Sequence, residues 1–176
     1  MNSGFDYCPR CATPLTRQII GGAQRGTCPA TGCGFVHWDN PAPVVAGLVE
    51  YRGQILLARN RAWAEDKFGL IAGFLEREES LEEAVAREVR EETNLIVSRT
   101  TLIGVYPFPR KHEIIIVYHT LAEGEVLLNE ELAEYRLVRP EQLRPWPQAT
   151  GLAVRDWMLA RGMAMPEIVE GNLFVH

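Results

Sequence analysis

The stretch from Ser80 to Asn94 most constrains what this chain can fold into. Glu83 follows Ser80 by three residues, the reciprocal pair that caps a helix start. A helix is therefore expected from Leu81 to Thr93. At roughly 100° per residue, Leu81, Ala84, Val85 and Val89 share one apolar stripe. Glu88 and Glu92, one helical turn apart, project onto the same side, with Glu91 beside them. Carboxylates rarely face a core unless paired or bound to a cation, and adjacent like charges repel. Two readings are open. The segment is an acidic surface helix with Arg87 and Arg90 as counter-charges, or its carboxylates hold a hard, oxygen-seeking cation where helix meets sheet.

The flanking pattern supplies the sheet. Pro43–Tyr51 reads as a buried strand, Arg52-Gly53 as a turn and Gln54–Arg59 as the hairpin partner. Further strands are expected at Gly69–Ala72, Val97–Val105, Glu113–Leu121 and Glu134–Val138, and a second helix at Thr150–Arg161, stopped by Gly162. Strands and helices do not alternate regularly, so the fold class is α+β, helices packed on a mixed sheet. At 47% hydrophobic and 23% charged residues the composition allows a packed core. The net charge of −5 argues against a dedicated nucleic-acid binder, but not against a nucleotide substrate, because a bound cation inverts the local field. Met1–Asp6 lacks a basic region followed by an apolar run, and no apolar stretch approaches the ~20 residues that span a bilayer. The expectation is a cytoplasmic protein with no membrane partner.

All four cysteines lie near the N-terminus, as Cys8-Pro9-Arg10-Cys11 and Cys28-Pro29-Ala30-Thr31-Gly32-Cys33, with sixteen residues between the pairs. In a reducing compartment the clustering favours a closed, structural Zn²⁺ site over disulfides. A redox pair or unlinked thiols is the alternative. Residues 1–40 have no apolar periodicity of their own, so they are expected to form a small zinc ribbon ahead of a main domain at 41–176.

The whole segment from Gly73 to Leu95 resembles the Nudix box. Gly73 is followed after five residues by Glu79, and after seven more by Arg87-Glu88-Val89-Arg90-Glu91-Glu92-Thr93-Asn94-Leu95. Asn94 stands where the family has glycine, at a helix end where Asn is the best substitute. Glu78 also stands where glycine is usual. The resemblance implies a Nudix fold, a mixed sheet sandwiched by helices. It implies Glu88, Glu91 and Glu92 as ligands of Mg²⁺ or Mn²⁺, Glu79 close to the metals and able to transfer protons, and Arg87 orienting the carboxylates by salt bridges. Glu88 is the candidate base. The implied chemistry is attack of metal-activated water on one phosphorus of a diphosphate.

Downstream, prolines flank an aromatic in Tyr106-Pro107-Phe108-Pro109-Arg110-Lys111-His112. They predict a rigid loop able to pack a planar base, or simply a stiffened turn between strands. A four-cysteine ribbon before the box and this element after it make the chain similar to the NADH pyrophosphatase branch. Glu131 matches an additional metal-ligand Glu of that branch. Tyr106 departs from its usual Trp. The layout is also similar to plant-type FAD pyrophosphatases. The resemblance implies cleavage of NAD(H) to AMP and nicotinamide mononucleotide, with FAD, ADP-ribose or a nucleoside diphosphate sugar as alternatives. NAD-capped RNA presents the same bond and is the one nucleic-acid partner admitted. A homodimer is also implied. A Nudix protein that senses nucleotides without catalysis is the other class; the intact Glu79, Arg87, Glu88, Glu91 and Glu92 set argues for chemistry. Phe74 and Phe108 are candidate substrate contacts by stacking, and Lys111 by meeting a phosphate. Trp63 and Phe68 are further aromatics near the box, with core packing as the alternative.

Overall fold

The computed structural model describes residues 5–164, and the chain divides between Pro41 and Ala42 into two compact units. Residues 165–176, the end of the expected main domain, lie outside the described residues.

The first unit holds three antiparallel strands, β1 (Thr16–Ile20), β2 (Ala23–Thr27) and β3 (Val36–His37), in that order. No strand was legible here in the sequence, because a half-buried strand announces itself by apolar alternation. Thr16, Arg17, Gln18 and Ile19 are all exposed, so this sheet has no such alternation.

The second unit is built on β4 (Ala42–Tyr51), which pairs in parallel with β8 (Glu113–Glu123) and antiparallel with β5 (Gln54–Asn60) and β6 (Ile71–Phe74). β7 (Ile96–Phe108) pairs with β8 at one edge and β9 (Leu132–Val138) with β5 at the other. The sheet order is β7-β8-β4-β5-β9, with β6 beside β4. Helix α1 (Leu81–Thr93) covers one face and α2 (Thr150–Ala160) the other. Alternation along β4 separates the two cores. Val44, Ala46 and Leu48 point to the α2 side with Ile115, Val117, Val154 and Trp157. Val45 and Val49 point to the α1 side with Val85, Val89 and Ile116. The architecture is thus the mixed sheet between helices that the sequence predicts.

Three local features depart from the sequence reading. The expected Gly69–Ala72 strand lies two residues later, with Gly69 bridging only to Ala58. β9 starts at Leu132, which is buried. Most consequentially, Tyr106-Pro107-Phe108 is not a loop but the last stretch of β7, and only Pro109 opens a 3₁₀ turn ending at Lys111. β7 is an edge strand, where a proline's missing N–H leaves no ladder bond unmade.

α1 is fixed before it packs. The Ser80 side chain accepts from the Glu83 N–H, and the Glu83 carboxylate accepts from the Ser80 N–H. Asn94 ends the helix in the left-handed conformation and bonds back to the Arg90 carbonyl. The helix then seats on β4 at Gly47, where a Cβ would press on the methyls of Val85 and Val89 at 3.2 and 3.3 Å. Burying each of those valines contributes about 1.5–3 kcal/mol. Thr93 is fully buried and donates to the Val89 carbonyl.

Candidate active site

The face that α1 turns to the sheet carries its carboxylates to β6. Glu92 is 9% exposed, although the rest of the helix's buried set is Ala84, Val85, Val89 and Thr93. Glu88 is half-buried against Gly73 of β6, where any Cβ would overlap its carboxylate. A glycine at that position is therefore a steric requirement of the glutamate opposite it. The Ala72 backbone, on the same short strand, partly offsets the rise in the Glu92 carboxyl's proton affinity.

Arg87 organises the remaining acids. Its guanidinium donates to both oxygens of Glu79 at 2.8 and 3.0 Å, to Glu88 at 2.7 Å and to Glu91 at 3.3 Å. It also donates to the Phe74 carbonyl at 3.1 Å, tying the helix to the end of β6. Glu79 accepts in addition from the Glu76 N–H, and the Arg87 contact holds its carboxyl below the usual carboxylate range. Glu88 behaves oppositely: burial pushes its carboxyl up despite the Arg87 pair. Glu92 is raised furthest, to about 8, first by burial and then by the charges of Glu88 and Glu131.

Glu131 arrives from the β8–β9 loop, and its charge is felt at both Glu88 and Glu92. The structure thus brings together Glu79, Arg87, Glu88, Glu91, Glu92 and Glu131. Arg61 and Asn129, which hold that loop, carry no signal in the sequence beyond an Asn two residues before an acid. Phe74 is exposed at the end of β6, and strand alternation points its ring to the α2 side, away from Glu88. Phe108 also lies on the α2 side, packed against the core cluster there. Its stacking face is thus partly used. Lys111 is exposed in the 3₁₀ turn. Phe68 is buried in the core under Arg136, while Trp63 is exposed beside Gly69. An open cleft of about 500 Å³ lies on the α2 side between β7, β8 and α2; it includes none of the predicted site residues, and its His119 and Arg161 both bond to Glu50.

The donors fit a hard divalent ion: all are carboxylate oxygens, and a cation would relieve the repulsion that raises Glu88 and Glu92. Their oxygens do not, however, form a single tight cluster. Among the described residues only Cys8, Cys11, Cys28 and Cys33 do so, with all four Sγ atoms within 4.8 Å of one another. No disulfide joins them. Cys8–Cys33, Cys11–Cys28 and Cys11–Cys33 sulfurs are 3.6, 3.5 and 3.7 Å apart. A tetrahedron of sulfurs at ~2.3 Å from zinc has edges of about 3.8 Å. The Cys8 sulfur also accepts from the Arg10 N–H at 3.4 Å, and the Cys11 thiol lies 3.3 Å from the Thr13 hydroxyl. The wide gap in the second pair is absorbed by a turn in which the Cys33 N–H bonds to the Ala30 carbonyl. Thr13 beside its sulfur draws Cys11 down to about 6, whereas burial pushes Cys28 up to about 12.

Residues 40–157 match the family model of the NUDIX domain. The chain belongs to the Nudix hydrolase family. Among curated Nudix relatives, an NAD-capped RNA hydrolase NudC of Stutzerimonas stutzeri is 30% identical over 93% of this chain. A mitochondrial NAD(P)H pyrophosphatase, NUDT13 of Mus musculus, is 30% identical over 76% of it. The chain spans 59% of the length of that NudC and 37% of NUDT13. Among solved structures, a Nudix hydrolase from Nitrosomonas europaea superposes with a TM-score of 0.72 at 25% identity, covering 93% of this chain and 97% of its own. No helix among the described residues is long and apolar enough to cross a membrane.

Proposed function

We propose that this chain is a divalent-metal-dependent pyrophosphohydrolase that cleaves the diphosphate of a nucleotide derivative, NAD(H) above others, to AMP and nicotinamide mononucleotide. The observation that carries the reading is the buried, repelling Glu88–Glu92 pair beside Gly73, with Glu131 facing it and Arg87 bracing the periphery. In this reading residues 41–176 are the hydrolase domain, and 1–40 form a ribbon closed by Zn²⁺ on Cys8, Cys11, Cys28 and Cys33. The names of the NudC and NUDT13 relatives support an NAD-type substrate, including an NAD-capped RNA end.

Glu88, Glu91, Glu92 and Glu131 hold Mg²⁺ or Mn²⁺, which when bound neutralises charge on the diphosphate and lowers the pKa of water. Arg87 keeps the carboxylates aimed. Glu79, with both oxygens taken by Arg87, serves mainly to orient that arginine. Glu88 offers the Arg87 ion pair one oxygen and keeps the other for the proton of the attacking water. Phe74, Phe108 and Lys111 contact the substrate beyond the reacting phosphorus. The test is a chromatographic panel of NADH, NAD, an NAD-capped RNA, FAD, ADP-ribose and a nucleoside diphosphate sugar, with Mg²⁺ and with Mn²⁺. NADH, NAD or the capped RNA is expected to turn over fastest. FAD or a sugar nucleotide first would reassign the substrate; no turnover with tight nucleotide binding would overturn the enzyme.

A further inference from the structure

Glu92 and Glu131 come from segments separated in sequence by two whole strands, β7 and β8, yet the Glu131 charge is felt at Glu92. Their register runs through one residue. The Asn129 N–H donates to the backbone carbonyl of Glu92 at 3.2 Å. The Asn129 side-chain oxygen accepts from the N–H of Glu131 at 3.0 Å and of Leu132 at 3.3 Å. Asn129 therefore bonds to the peptide of one acid with its main chain and to the peptide of the other with its side chain. Around it the loop is stapled to the end of α1: the Leu127 N–H donates to the Thr93 carbonyl, and the Asn94 side chain to the Glu125 carbonyl. Its far side is clamped by Arg61, whose Nε donates to the Glu130 carbonyl at 2.7 Å and whose N–H donates to the Glu131 carbonyl at 2.9 Å. These are bonds to carbonyls and N–H groups that would otherwise be the unsatisfied end of a helix and a loose loop.

We infer that Asn129 is a positioning residue that sets the spacing of the Glu92 and Glu131 carboxylates for a shared divalent ion, with Arg61, in the turn just past β5, clamping the same loop. The inference rests on the reading of those two acids as metal ligands. It predicts that Asn129 acts on metal affinity without touching metal or substrate, as partners behind a ligand do. A side-chain acceptor two residues before the acid is what matters, so Asp can replace Asn and Ala cannot.

The experiment titrates Mn²⁺ into the zinc-loaded full chain and reads free Mn²⁺ by electron paramagnetic resonance, with thermal melts in parallel. Glu131→Gln is measured first. Its affinity must fall; an unchanged affinity removes Glu131 from the metal site, and the inference falls with that reading. Given that fall, Asn129→Ala is expected to lose about 10-fold or more in affinity, and Asn129→Asp to bind at least as well as the wild type. Asn129→Ala binding like the wild type, or Asn129→Asp losing as much as Asn129→Ala, overturns the positioning role while leaving Glu131 a ligand. Should Asn129→Ala not fold, Arg61→Ala takes its place. It removes only the bond to the Glu130 carbonyl, so a smaller loss in the same direction is expected, and no loss overturns the inference.

Discussion

The cysteine cluster crowds four acidic groups and the carboxylate cluster five, and they answer the crowding differently. Four sulfurs lie within 4.8 Å of one another, and no side-chain cation bonds to them among the described residues; the Arg10 guanidinium donates instead to the Cys33 carbonyl. The carboxylates stand further apart. An arginine is threaded between Glu79, Glu88 and Glu91, and the raised proton affinity of Glu92 takes up the remaining charge. The first arrangement is assembled by local turns and suits a closed site with no room for another ligand. The second is spread over a helix, a strand and a loop, and suits an ion that keeps positions open for water and substrate.

The contrast breaks most completely at the sulfurs. Cys28→Ser is expected to take bound zinc from one ion per chain to near none, and to make residues 5–41 susceptible to protease, because a structural metal contributes the folding energy of a unit this small. Elemental analysis and limited proteolysis read both. At the carboxylates the largest steric effect falls on Gly73→Ala, whose new methyl displaces Glu88. Hydrolysis should fall by more than about 100-fold, beyond what loss of a ligand's supporting partner costs, with zinc content unchanged.

A third test uses pH. The Glu92 carboxyl, raised from the ordinary 4.5 to about 8, keeps its proton in the fold where the unfolded chain has lost it. Its contribution to stability is intact below about 4.5 and is lost as pH rises through about 8. Zinc-loaded and without added Mg²⁺ or Mn²⁺, Glu92→Gln should therefore melt a few degrees above the wild type at pH 8.5, the gap closing toward pH 4.5. Added Mn²⁺ should raise the wild type and leave the variant where it was. The smallest effect concerns Glu78, held at φ +63° where an L side chain is strained. Glu78→Gly should stabilise by about 1 kcal/mol, measured by urea unfolding, with no change in either metal.

What could be read in advance follows the same division between local and distant causes. α1 and its two caps were legible because Ser80, Glu83 and Asn94 act within a turn of themselves. The cysteine site was legible for the same reason. Glu88 and Glu92 declared themselves as charges on an apolar face, but the reason for Gly73 did not, since it depends on a strand crossing the helix. Glu131 was reachable only through family resemblance, because its N–H donates to the Asn129 side chain and its carbonyl accepts from the Arg61 N–H, and neither partner is periodic in sequence. The Pro-Phe-Pro element suggests a loop or stiffened turn because prolines interrupt central strands; that β7 is an edge is a property of the whole sheet.

The central claim is that the acids on α1 gather a divalent ion for diphosphate hydrolysis. It is tested most directly by comparing wild type and Glu92→Gln on NADH with Mn²⁺, following AMP and reduced nicotinamide mononucleotide by chromatography. The wild type should form the two products in equal amounts, and the variant, folded and zinc-loaded, should be slower by more than about 100-fold. A folded Glu92→Gln protein that hydrolyses NADH at close to the wild-type rate would contradict it.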